Sequence, residues 1–199
     1  MPALAITGTI GSGKSLVLRT LGDLLKAKTF SADEENRRLL DNDSEVKNLI
    51  LSSLGKSCYK EDGSANRKVL FDLLSHDPMA RNTLESILHP RLQALWKPLA
   101  ETFCAKPDCY FLAEIPLLYE KKLDAFFDKT IVVGCSDSVR QERLRLLRSL
   151  TTTELAAWMK MQAPQDAKVT KAHYFLWNDG SEAQLLKQTH LLASHFFQA

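Results

Sequence analysis

The stretch Leu4-Ala5-Ile6-Thr7-Gly8-Thr9-Ile10-Gly11-Ser12-Gly13-Lys14-Ser15-Leu16 decides how the rest of the chain is read. Its first four residues are a short apolar run ending in glycine, the pattern of a buried strand. From Lys14 to Lys26, apolar residues recur at Leu18, Leu21 and Leu25, with Val17 and Leu24 beside them, which is helical spacing. Between strand and helix, residues 8–15 match G-x-x-x-x-G-K-[ST] in full. Gly8, Gly11 and Gly13 let the backbone curl so that its N–H groups, with that of Ser12, point at phosphate oxygens. The helix that follows adds its positive N-terminal end. Lys14 is suited to the β- and γ-phosphates and the Ser15 hydroxyl to Mg²⁺. Leu16 completes the set expected on the nucleotide side. A chance glycine turn is the alternative, and the strand and helix flanks argue against it.

The chain has 199 residues, enough for one sizeable core with small insertions. A net charge of +2 excludes the global basic field that grips nucleic acid, so no nucleic-acid partner is expected. No apolar run is long enough to span a bilayer, and the N-terminus lacks the charged start of a signal peptide. No membrane association is expected either. Cys58, Cys104, Cys109 and Cys135 form no C-x-x-C pair and meet no zinc spacing. Reduced thiols in a cytoplasmic enzyme are the expectation. The oligomeric state does not follow from the sequence.

Outward from the loop, residues 28–31 read as a second short strand, and the short apolar segments at residues 110–115, 130–134 and 174–177 as three more. Helical patterns at residues 138–149, 152–161 and 182–197 separate or follow them. Val46, Leu49, Ile50 and Leu54 fit an amphipathic helix. Asp77-Pro78 reads as an N-cap followed by proline at the first helical position. The stripe Leu84, Ile87, Leu88, Leu92, Leu95 and Leu99 is crossed by His89-Pro90, where a kink or break is expected. Alternation of strands and helices predicts an α/β fold: a doubly wound, five-stranded parallel sheet of the P-loop kinase type. The core is set at about residues 1–33, 106–147 and 168–199. A helical acceptor-side insertion is set at about residues 34–105, and a small helical lid at about residues 148–167.

A phosphate loop alone permits a switch, a motor or a kinase. D-x-x-G and N-K-x-D, which a GTP switch needs, are absent. The run ending at Glu114 could serve a motor, but Ile115-Pro116-Leu117-Leu118 follows at once and shapes a pocket. A small-molecule kinase fits better. Such an enzyme needs a carboxylate near the transferred phosphoryl group. Asp33, just past the second strand, is suited to take or orient a substrate hydroxyl proton. Glu34 and Glu35 are adjacent, and an N-cap role for Asp33 is the structural alternative.

These motifs resemble those of the dephospho-CoA kinase family over almost the whole chain. The family's phosphate loop is met by residues 8–15, and its D-A-D by Ser31-Ala32-Asp33. A basic segment before V-F resembles Asn66-Arg67-Lys68-Val69-Leu70-Phe71. L-E-x-I-x-H-P resembles Leu84-Glu85-Ser86-Ile87-Leu88-His89-Pro90, with Arg91 and Leu92 following. D-[VI]-P-L-L-[FY]-E resembles Glu114-Ile115-Pro116-Leu117-Leu118-Tyr119-Glu120. Gln141, Arg143, Leu144 and Arg148 resemble the family's basic segment, and Asn178-Asp179-Gly180 its N-x-G.

The resemblance implies transfer of the γ-phosphoryl group of ATP to the 3′-hydroxyl of dephospho-CoA, with Mg²⁺ as cofactor. It implies Asp33 as base or orienter, with Lys14, Arg143 and Arg148 neutralising the transferring charge. Asn178 and Gly180 then lie near the adenine. Arg67, Phe71, His89, Arg91, Pro116, Leu117, Leu118, Tyr119 and Glu120 then bind the acceptor. Pro116–Tyr119 read as core just as well by composition, and Arg140 and Arg145 as a solvated basic face. The chain departs from the pattern at four places. Ser31 replaces an aspartate, Thr9 a glycine and Glu114 an aspartate. Trp158 stands where arginine is usual, leaving Arg148, Lys160 or Lys168 to charge the lid. Another P-loop kinase and a nucleotide-binding module without turnover remain the alternatives, with nucleic-acid binding through the cluster at Arg140–Arg148 a weaker third.

Overall fold

The structure, a computed structural model, describes residues 3–104, 109–148 and 163–197, without the side chains of Cys104, Leu147, Arg148 and Phe197. Two compact units emerge. One comprises Met1–Ser31 with Lys97–Ala199, the other Ala32–Trp96.

The first unit is built on five strands: β1 (Ala3–Gly8), β2 (Lys28–Ser31), β3 (Phe111–Glu114), β4 (Lys129–Gly134) and β5 (Tyr174–Trp177). Their spatial order is β2-β3-β1-β4-β5, with every neighbouring pair parallel. β1, β3 and nearly all of β4 are buried along their length, which is why these segments read as unbroken apolar runs. Edge strand β5 differs, with Phe175 40% and Trp177 41% exposed. The helices of this unit are α1 (Lys14–Leu25), α6 (Asp137–Arg148), α7 (Gln165–Val169) and α8 (Glu182–Phe197).

One face of the sheet packs Leu4, Ile6, Leu112, Ile131 and Val133 against Val17, Leu18 and Leu21 of α1 and Leu185, Leu192 and Phe196 of α8. Burying each of these side chains stabilises the fold by about 1.5–3 kcal/mol relative to exposure. β1 lies at the centre of the sheet, with β3 on one side and β4 on the other. The chain order reverses there, and in such sheets ligands bind outside the strand C-termini at the reversal. The loop at residues 8–15 leaves β1 at that point.

The second unit is helical: α2 (Ala32–Asn42), α3 (Ser44–Leu54), a helical turn at Lys56–Cys58, α4 (Arg67–His76) and most of α5 (Pro78–Cys104). Asp43 caps α3 by accepting from Val46 N at 2.9 Å. Asp77 caps α5 by accepting from Met79 N at 2.8 Å and Ala80 N at 3.1 Å, with Pro78 as the first helical residue. The border between the units falls inside α5, between Trp96 and Lys97.

Of the kink or break expected at His89-Pro90, the break is absent: α5 runs through it for 27 residues. Pro90 removes the backbone donor that Ser86 O would otherwise receive, and the neighbouring Ile87 O accepts from Arg91 Nη1 at 2.9 Å. Leu84, Ile87, Leu88, Leu92 and Trp96 stay buried along the helix. Their burial outweighs the cost of one lost hydrogen bond. The helix expected at residues 152–161, with Trp158 and Lys160, lies outside the described residues. Cys58, Cys109 and Cys135 are free thiols. Burial pushes the Cys58 and Cys135 thiols up, which makes both poor nucleophiles at neutral pH.

Candidate nucleotide site

The loop after β1 is closed by geometry that only glycine permits at its two ends. Gly8 has φ 146° and Gly13 φ 99°. A Cβ on Gly8 would run into the Val133 carbonyl of β4, and one on Gly13 into Asn178 Nδ2. Thr9 keeps an ordinary backbone, since the described non-glycine residues at positive φ are Lys26 and Lys122.

Lys14 is buried, and its Nζ donates to Thr9 O at 3.1 Å, so the ammonium curls back over the loop. Leu16 packs against the core cluster and anchors the first turn of α1. α1 itself carries no acid in its first turn. Thr9 Oγ1 and Ser12 Oγ are buried without a hydrogen-bond partner among the described residues. Buried hydroxyls are rarely left so, and two in one loop fit a ligand rich in acceptor oxygens.

Asn178, just after β5, fastens the loop. Its Nδ2 donates to Ser12 O at 2.8 Å and its backbone N to Gly134 O at 2.7 Å. Its Oδ1 accepts from Arg143 Nη2 at 3.3 Å, and the same nitrogen donates to Gly180 O at 3.5 Å. Arg143 Nη1 is buried and unpartnered among the described residues. Arg140 is also buried rather than part of a solvated face, and donates from Nη2 to Asp137 Oδ1 at 2.7 Å. Its Cγ comes within 3.5 Å of where a Gly11 Cβ would lie, so α6 covers the loop. Arg145 is exposed. The Arg148 side chain lies outside the described residues.

Sequence reasoning left one residue out of the site. Glu114 ends β3, is 1% exposed, and stands beside Ser31 in the β2–β3 register. Ser15 Oγ donates to its carboxylate at 3.2 and 3.3 Å, and Ser31 Oγ at 3.3 Å. The sequence shows an acid at a strand end but not which hydroxyl it meets. The contact depends on a register linking residues 83 and 99 positions apart.

Beyond β3, Pro116 and Leu117 are partly exposed, whereas Leu118 and Tyr119 are buried in the core. Tyr119 OH donates to Thr130 Oγ1 at 2.9 Å, and burial pushes its hydroxyl up. Glu120 accepts from Lys168 Nζ at 2.8 Å and from Ala163 N at 3.0 Å.

The remaining expected residues belong to the helical unit. Asp33 is the second residue of α2, in a first turn that also holds Glu34 and Glu35. It is half-buried and, among the described residues, makes neither a hydrogen bond nor an ion pair, so it is not serving as an N-cap. Arg67 pairs with Asp41 at 2.6 Å and Arg91 with Glu45 at 2.8 Å. Phe71 lies on α4 and His89 on α5, where His89 is half-buried.

The dephospho-CoA kinase family model (CoaE) matches residues 3–184. The dephospho-CoA kinase of Syntrophotalea carbinolica is 33% identical over 191 residues, covering 94% of this chain and 89% of its own. That of Wolinella succinogenes is 32% identical, covering 96% and 92%. A Thermus thermophilus protein, TT1252, superposes with a TM-score of 0.72 at 28% identity, covering 97% of this chain and 96% of its own. Shikimate kinase from Acinetobacter baumannii shares the fold at 12% identity, with a TM-score of 0.56, covering 100% and 94%. The match spans the loop after β1, the acid ending β3 and the segments after β5, and the chain belongs to the dephospho-CoA kinase family.

Proposed function

We propose that this chain transfers the γ-phosphoryl group of ATP to the 3′-hydroxyl of dephospho-CoA, releasing ADP and coenzyme A in the cytoplasm. The observation that carries this is the loop at residues 8–15, with two buried hydroxyls unpartnered among the described residues, inside a family match over residues 3–184. The loop amides, the α1 N-terminus and Lys14 hold the donor phosphates. Arg143, fixed by Asn178 and Gly180, has one buried guanidinium nitrogen left to offer to phosphate. Asp33 accepts the proton of the attacking hydroxyl as its oxygen bonds to the γ-phosphorus and the bond to ADP breaks.

Mg²⁺ fits the residues at the β1 and β3 ends. Among the described residues no cluster of three or more His, Cys, Asp or Glu forms a cage. Magnesium does not need one, because it binds through one or two protein groups together with substrate phosphates. Ser15 Oγ and the Glu114 carboxylate would hold it, the latter directly or through water. Bound there it neutralises phosphate charge. Glu114→Gln keeps the shape and removes the charge. The Mg²⁺ concentration giving half-maximal rate should rise by about 10–100-fold. A Mg²⁺ titration identical to that of the unaltered enzyme would remove Glu114 from this role.

The activity is tested by incubating the protein with ATP, Mg²⁺ and dephospho-CoA and measuring coenzyme A. Binding of ATP by folded protein without product would favour a module lacking turnover.

A further inference from the structure

Lys168, on the five-residue helix α7, is 0% exposed. A lysine is almost never fully buried unless paired. Lys168 is paired: its Nζ lies 2.8 Å from Glu120 Oε1 and donates to Pro116 O at 2.9 Å. The lid-charging role open to it on sequence grounds therefore does not hold here. The ammonium is turned inward and its charge is met by Glu120.

Both partners of Lys168 lie on the segment that leaves β3. Pro116 stands two residues beyond Glu114, whose carboxylate touches the phosphate-loop serine Ser15. Pro116 O also accepts from Thr7 Oγ1 at 3.2 Å, and Thr7 is the last residue of β1 before Gly8. Glu120 Oε1 accepts a second bond, from Ala163 N at 3.0 Å. At its other end α7 is held by Gln165, whose Oε1 accepts from Cys135 N at 3.0 Å, just past β4. α7 thus straps together the exits of β3 and β4. The first exit carries Glu114 and the second leads into α6 with Arg143.

A buried ion pair is weak evidence for stability, because apolar residues of the same volume often stabilise as well or better. What the pair does supply is direction. An ammonium with two fixed acceptors sets the Pro116 carbonyl and the Glu120 carboxylate to a single arrangement.

We propose that Lys168, acting with Glu120, is a positioning residue that fixes the β3 exit and so the placement of Glu114 against Ser15. It touches no substrate, and the inference rests on the kinase reading above. Small displacements at a phosphoryl-transfer site act mainly on the rate, because catalysis there is largely positioning.

The test compares the unaltered enzyme with Lys168→Met, Glu120→Gln and their double variant, and with Glu120→Leu. Steady-state kinetics with ATP, Mg²⁺ and dephospho-CoA are set beside ADP affinity by calorimetry and thermal unfolding by circular dichroism. Lys168→Met should lower kcat by about 10–100-fold, since misplacement of about 1 Å can cost that much, with ADP affinity held within about threefold. The double variant should be no slower than Lys168→Met alone, because the two side chains act as one unit. Unchanged kcat below the melting transition, with only a lower Tm, would make the pair structural and overturn the proposal. Equal losses in kcat and ADP affinity would also overturn it. If Lys168→Met does not fold, Glu120→Leu decides. It removes the oxygen that Lys168 Nζ and Ala163 N share, so a reduced kcat at retained ADP affinity supports positioning and an unchanged kcat refutes it, while Glu120→Gln, which keeps that oxygen, should retain more of kcat than Glu120→Leu. A change confined to KM for dephospho-CoA would make Glu120 a binding residue instead and overturn the strut. No coenzyme A from the unaltered enzyme would be the separate failure of the kinase reading and would take this inference with it.

Discussion

Asp33→Asn is expected to lower kcat by about 10²–10⁴-fold while ATP affinity stays within roughly threefold, the loss that follows from removing a positioned base. The substitution keeps size and helical position and removes only the ability to take a proton. In the structure Asp33 has no hydrogen bond or ion pair among the described residues, so its loss strands no partner. It also leaves Glu34 and Glu35 to satisfy the positive end of α2. The melting temperature should therefore move little. Steady-state kinetics paired with calorimetric titration of ATP separates the two effects. A rate unchanged by the substitution would take the proton-accepting role away from Asp33, and a matching loss of ATP affinity would make it a binding residue.

The second large effect is expected at Gly13. Alanine there must adopt φ near 99°, and strain of this kind costs about 1–3 kcal/mol. It must also displace Asn178 Nδ2 from the space its Cβ would fill. That movement breaks the bond from Asn178 to Ser12 O and disturbs the seat of Arg143. Nucleotide affinity should fall by about tenfold or more, as 1.4 kcal/mol corresponds to each factor of ten. Leu185 gives a built-in check. The same Cβ lies 3.2 Å from its Cδ2, so Leu185→Ala in the Gly13→Ala background relieves that contact alone. Affinity should stay low in the double variant if the backbone and Asn178 are responsible. Calorimetric titration of ADP reads the result, and recovery of affinity would transfer the cause to packing.

How far the sequence carried differs from element to element. β2 and β5 fall at the residues read from the pattern, 28–31 and 174–177. Short segments bounded by helical patterns leave little latitude there. The loop at residues 8–15 is legible because its chemistry is local: glycines, a lysine and a serine at fixed spacing do the work themselves. At Pro90 the pattern allows a kink or a break, and α5 has no break, because the rule for proline is also local. The apolar stripe on both sides of Pro90 is what holds the helix together. Glu114 and Lys168 were missed as partners for the opposite reason. Ser15 lies 99 residues from Glu114, and Lys168 lies 52 residues from Pro116. Only the parallel register of the sheet brings such groups within hydrogen-bonding reach. The Asn178 side chain also bonds to Ser12 O and Arg143, a role as support of the loop that its place after β5 does not show.

The most direct test of the account is the acceptor reaction itself. Purified protein is incubated with Mg²⁺, ATP labelled at the γ-phosphate and dephospho-CoA, and the products are separated and identified by mass. The expected result is one phosphoryl group added to dephospho-CoA at the ribose 3′-oxygen, in step with ADP release and absent in Asp33→Asn. Folded protein that binds ATP yet leaves dephospho-CoA unchanged would contradict it.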